Sequence, residues 1–91
     1  MDIVVECAGL ASEASFWQAY LDAVKPEGAA SFGRNLDAFR DAILGGGPGW
    51  PGECAIRLVS FDQLRTIDDG RFCAALERLA AESRRVTIRF E

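Results

Sequence analysis

The sequence predicts a small α/β domain built on a three-stranded parallel β-sheet with three to four helices. Two observations predict it. Short β-branched apolar runs at Ile3-Val4-Val5-Glu6-Cys7, Ala55-Ile56-Arg57-Leu58-Val59 and Val86-Thr87-Ile88-Arg89-Phe90 are separated by segments of helical periodicity. The resulting order, β-α-α-β-(α)-α-β, joins strands in parallel through right-handed crossovers. A three-layer-like arrangement, with helices over the faces of the sheet, is expected because the strands read as apolar. Residues 1–91 read as one such domain, a length that leaves little stability to spare.

Each element has a local reason. Gly9 ends the first strand. Ser12 or Ser15 caps the first helix, in which Phe16, Trp17, Tyr20, Leu21 and Val24 form one apolar stripe. Pro26 stops it, because proline disfavours helix at the residue before it. Glu27 to Ser31 is a small-residue loop, and Gly33 allows a sharp turn. Asn35 is a good N-cap for the second helix. There Leu36, Phe39 and Ile43 recur at i, i+3 and i+7 and face inward, which turns Asp37, Arg40 and Asp41 outward. Gly45-Gly46-Gly47-Pro48-Gly49 ends that helix and opens a flexible loop, closed by Trp50-Pro51. After the second strand, residues 60–67 form a connection with one helical turn around Phe61 and Leu64. Asp68 or Asp69 caps the last helix, which buries Phe72, Leu76 and Leu79.

Charge and residue inventory exclude several functions. The formal net charge is −4, and the surplus is uneven. Residues 1–60 hold eight acids against four bases, whereas residues 61–91 hold six of each. An acidic balance disfavours binding to a nucleic-acid backbone and suits attraction to a basic protein. The chain has no histidine, which removes the commonest general base and every Cys–His or Ser–His pair. Cys7, Cys54 and Cys73 are odd in number and show no CxxC spacing, against a disulfide framework or a zinc site. The glycine run lacks the Lys-Ser/Thr of a phosphate loop and follows a helix, not a strand. No cofactor, metal or catalytic residue is expected. With no leader-like opening and no apolar run long enough for a bilayer, the expected location is cytoplasmic, without membrane contact and as a monomer.

The most informative segment is Phe32-Gly33-Arg34-Asn35-Leu36-Asp37-Ala38-Phe39-Arg40-Asp41. It places two carboxylates one turn apart on one exposed helix face, a like-charge spacing that costs ~0.2–0.5 kcal/mol. A fold does not need that repulsion; a partner with a cationic cleft uses it. Asp37 has a structural alternative, since an acid in the first turn is favoured by the helix dipole. Asp41 lies deeper, where the dipole effect fades. Arg34 and Arg40 read as solubilising residues or as contacts to acids on a partner. Trp50 is either a lid on the core or an exposed anchor. An enzyme using the two aspartates as an acid/base pair lacks the burial that would tune them.

The same ten residues resemble the aromatic-Gly-x-Asn-Leu-Asp-Ala-hydrophobic-x-Asp signature of the barstar family, small intracellular inhibitors of guanyl-specific ribonucleases. The element order, Phe61 after the second strand and the closing Val86-Thr87-Ile88 agree with it. The resemblance implies a barstar-like fold and a protein that plugs a nuclease active site. The residue matching Asp41 takes the place of a substrate phosphate, and the one matching Asp37 lies beside it. It implies a protein partner, a ribonuclease or ribonuclease toxin with a basic cleft, and hence an antitoxin or immunity role. Phe32, Gly33, Asn35 and Leu36 would carry the motif structurally; Ser31, Arg34, Arg40 and Trp50 would border the contact. The pair of proteins that defines this family is the standard illustration of electrostatically steered association. Four departures concern the rim. Ser31 stands where an aromatic contact is expected, Arg40 replaces an aromatic between the acids, Arg78 stands where a supplementary acid would sit, and the loop after Leu44 is glycine-rich. They point to a different nuclease target or to weak binding of the usual one. The alternative is an interaction module of the same fold with a non-nuclease partner.

Overall fold

The first strand, β1 (Asp2–Glu6), pairs in parallel with β2 (Cys54–Val59), which pairs in parallel with β3 (Val86–Phe90) on its other side. A computed structural model describes residues 2–91. Three α-helices fill the connections: α1 (Glu13–Val24), α2 (Leu36–Gly45) and α3 (Arg71–Glu82). Short 3-10 segments at Ala29–Ser31 and Phe61–Gly70 join them. The fold is therefore the α/β arrangement expected, with the sheet order β1-β2-β3.

Register explains which strand residues enter the core. Ile3, Ile56 and Ile88 align across the sheet, as do Val5, Leu58 and Phe90. Val5, Ile56, Leu58, Val86 and Ile88 are buried, each burial worth about 1.5–3 kcal/mol. The alternate positions point the other way. Val4 is 47% exposed, the Arg57 guanidinium forks onto Glu91 at 2.8 and 2.7 Å, and Arg89 lies 4.0 Å from Asp2. The strands thus bury one face rather than both, and the first strand is not buried throughout. The physical reason is in their composition: Asp2, Glu6, Arg57 and Arg89 occupy outward positions where a covering helix would strand their charges.

The buried face meets an aromatic cluster centred on Trp17. Its ring packs edge-on against Phe16 and Phe72 at 5.0 and 5.7 Å and touches Phe39 at 5.2 Å. One α1 side chain therefore seats both α2 and α3. Such pairs add ~0.5–1.5 kcal/mol each beyond area burial. The indole N–H donates to Glu13 Oε1 at 3.3 Å.

Ser12 caps α1 with a reciprocal bond to Ser15, and Lys25 turns left-handed directly before Pro26. The start of α3 differs from expectation. Its N-cap is Gly70, with no side-chain cap, while Asp68 and Asp69 both take left-handed φ of 50° and 52°. Asp68 instead accepts from Arg71 at 3.4 Å. Burial of Ile67 and Phe72 on either side fixes this turn and takes the aspartates out of capping position.

Candidate functional site

The segment leading into α2 is built from the side chains of its own motif. Phe32 is buried and fixes the chain to the core. Gly33 is needed for close approach: a Cβ there would stand 3.0 Å from Ala38 Cβ. The sharp turn expected at Gly33 falls one residue later, where Arg34 has φ 53°. Its guanidinium donates to Gln18 Oε1 of α1 at 2.9 Å, which anchors this strained residue. Asn35 then caps α2. Its Oδ1 accepts from the Ala38 N–H at 2.7 Å, and its Nδ2 donates to the Gly33 carbonyl at 3.2 Å.

This cap fixes the phase of the helix. Phe39, Ala42 and Ile43 are buried and Leu36 is half-buried, so Asp37 and Asp41 stand on the solvent face. Leu36 is thus not a full core residue; it lines the groove between α2 and α3. Among the described residues neither Asp37 nor Asp41 has a hydrogen-bond or ion-pair partner for its side chain. Four residues, about 6 Å along the helix axis, separate them. Two unpaired carboxylates so placed form a ready acceptor for guanidinium, ammonium or imidazolium groups.

Arg40 lies between them in sequence yet is drawn aside. Its guanidinium makes a two-pronged bond to Glu82 at the end of α3, at 2.6 and 2.8 Å. That hydrogen bond raises the Arg40 pKa and lowers that of Glu82; Asp41 and Asp37 act on Arg40 more weakly through space. Arg78 lines the same groove beside Leu36, Asp37 and Leu79. Ser31 is exposed in the 3-10 turn ahead of the motif.

The far end of α2 is held by more contacts than its glycines suggest. Gly46 adopts φ 71° and its N–H returns to the Ala42 carbonyl. The Tyr20 hydroxyl donates to the Gly49 carbonyl at 2.8 Å, and Gly49 sits so close to the Phe32 ring that a Cβ there would meet it. The loop is therefore pinned to the core rather than free. Trp50 is half-buried against the core, with the Arg85 guanidinium 4.7 Å above its ring.

A family model described as Barstar (barnase inhibitor) matches residues 1–90. The chain belongs to the barstar family. Among curated proteins, none matches its sequence. Barstar-family proteins are ribonuclease inhibitors rather than enzymes, and the partner class is a protein. In this barstar-family chain the motif anchors itself to the core through Phe32 and Phe39 and leaves the cap and the paired acids exposed. No group of three or more His, Cys, Asp or Glu able to hold a metal occurs among the described residues, and no helix there is long and apolar enough to cross a membrane.

Sequence reasoning missed Glu82. It lies 42 positions from Arg40, and nothing in either local pattern links them. It also missed the Tyr20–Gly49 bond, for which an unexplained buried tyrosine was the only signal.

Proposed function

We propose that this protein inhibits a ribonuclease, of the guanyl-specific type or a toxin related to it, by inserting the α2 face into its active-site cleft. The observation that carries this reading is the pair Asp37 and Asp41: exposed, on one face, unpaired among the described residues and presented by a rigid capped turn. A pre-positioned acceptor loses little conformational freedom on binding, so more of each contact appears as affinity. Asp41 takes the position of a substrate phosphate and Asp37 the contacts beside it. Ser31, Arg34 and Trp50 belong to the rim, with Arg40 bordering the pair. RNA is then excluded by occupancy alone, with no turnover and no cofactor.

The rim favours a target whose cleft border differs from that of barnase. Ser31 offers little contact area, and Arg40 and Arg78 place positive charge where an acidic surface would otherwise continue. We place the protein in the cytoplasm as a monomeric antitoxin or immunity protein. Pull-down with catalytically inactive guanyl-specific ribonucleases tests the proposal. Capture of at least one of them at micromolar concentration is expected. Capture of none moves the reading to a barstar-fold module with a non-nuclease partner.

A further inference from the structure

We propose that Glu82 is a positioning residue for the acidic face: it holds Arg40 against α3 and so keeps Asp37 and Asp41 free for a cationic partner. The inference rests on the inhibitory reading of that face. Arg40 follows Asp37 by three positions and precedes Asp41 by one, and a residue three along a helix reaches its neighbour's side chain. A mobile Arg40 would therefore screen the anions from within. The structure shows the opposite arrangement. Both prongs of the guanidinium are taken up by the two oxygens of Glu82, at 2.6 and 2.8 Å, across the groove between α2 and α3. A planar fork held at both ends has a defined direction, unlike a single-point surface contact.

The other cations around the acid pair do not substitute for this device. Arg34 is held by Gln18, and Arg85 by Glu53 and the Trp50 ring. Arg78 lines the groove beside Asp37 and Arg84 lines a separate pocket with Ile43 and Leu44; neither has an ion-pair partner among the described residues, and both are the same in every variant below. Only Arg40 shares the helix of the two aspartates, so its direction is what changes the negative charge of that face when Glu82 is removed. The latch also explains how an arginine can occupy the position between the acids without cancelling them.

Affinities for catalytically inactive barnase, measured for wild type, Glu82→Ala, Arg40→Ala and the double variant, test the proposal. Glu82→Ala is expected to weaken binding by about twofold, the scale of a released helical ion pair. The double variant should recover wild-type affinity, and Arg40→Ala alone should bind at least as tightly as wild type. A weaker Arg40→Ala would make Arg40 a direct partner contact and overturn the latch. So would an unchanged Glu82→Ala, or a double variant that fails to recover. A partner-free measurement separates this idea from the inhibitory reading. Nuclear Overhauser contacts from the Arg40 δ-protons should reach Glu82 in the wild type and the Asp37 or Asp41 β-protons in Glu82→Ala. Their absence in the variant overturns the latch. Their presence with no barnase binding upholds it and removes barnase as the target.

Discussion

At the scale of single residues, the site depends on few atoms. Asp41 carries no intramolecular bond from its side chain, so Asp41→Ala should leave folding unchanged and weaken the nuclease complex by about 2 kcal/mol or more, as interface hot spots do. Calorimetric titration against an inactive guanyl-specific ribonuclease checks this; a loss under ~0.5 kcal/mol contradicts the central role of Asp41. Asn35 behaves in the opposite way. Its bonds to Ala38 and Gly33 are structural, so Asn35→Ala should cost about 1 kcal/mol of stability in urea unfolding. Asn35 and the two aspartates were legible in the sequence because capping and helical phase are local rules. Arg34 was not. The sequence offered Gly33 as the residue for a positive φ, but Gly33 is reserved for the close approach of Ala38 and the turn moves to Arg34. Glu82 was invisible for a different reason, since its partner comes from another element.

At the scale of elements, α2 is positioned from both ends. The Asn35 cap sets its start, and the loop after Gly46 is tied to the core by Tyr20 and Phe32. Gly49 has φ 94°, and a Cβ added there would stand 2.6 Å from the Phe32 ring, the same ring that anchors the motif. Gly49→Ala should therefore destabilise the protein by several kcal/mol, on the scale of overpacking combined with a forced left-handed residue. Thermal unfolding checks it; a melting temperature unchanged from wild type would show that the loop is free. The glycine run was read as flexible because glycine reports permission, not use. The start of α3 was misread for a related reason: Asp68 and Asp69 have the right side chains for capping, but the packing of Ile67 and Phe72 chooses Gly70. Helices α1 and α2 and all three strands were legible because their periodicity is continuous over their length.

At the scale of the whole molecule, the parallel sheet follows from element order, whereas its one-sided burial follows from charges alternating along the strands. Ionisation links stability to pH at both extremes. The Ala8 N–H lowers the Glu6 carboxyl, and the Arg40 and Arg57 guanidinium groups lower Glu82 and Glu91. Groups depressed in the folded state stabilise it above their unfolded value near 4.5 and lose that contribution as pH falls below it. Burial pushes the Cys7 thiol up to about 11 from 9.0, so stability should also fall as pH rises through that interval, where only the unfolded chain ionises. Urea midpoints measured from pH 3 to pH 11 should trace a plateau with a decline at each end; a profile still rising below pH 4 would contradict the carboxylate assignments. The net charge of −4, concentrated in residues 1–60, should also speed association with a basic enzyme at low salt. The most direct measurement is a calorimetric titration of this protein into a catalytically inactive guanyl-specific ribonuclease, repeated with the cleft filled by guanosine 3′-monophosphate. One-to-one binding to the empty cleft, strongly weakened when the nucleotide occupies it, is the expected result. Equal affinity for the filled and empty enzyme would contradict insertion of Asp37 and Asp41 into the site of the phosphate.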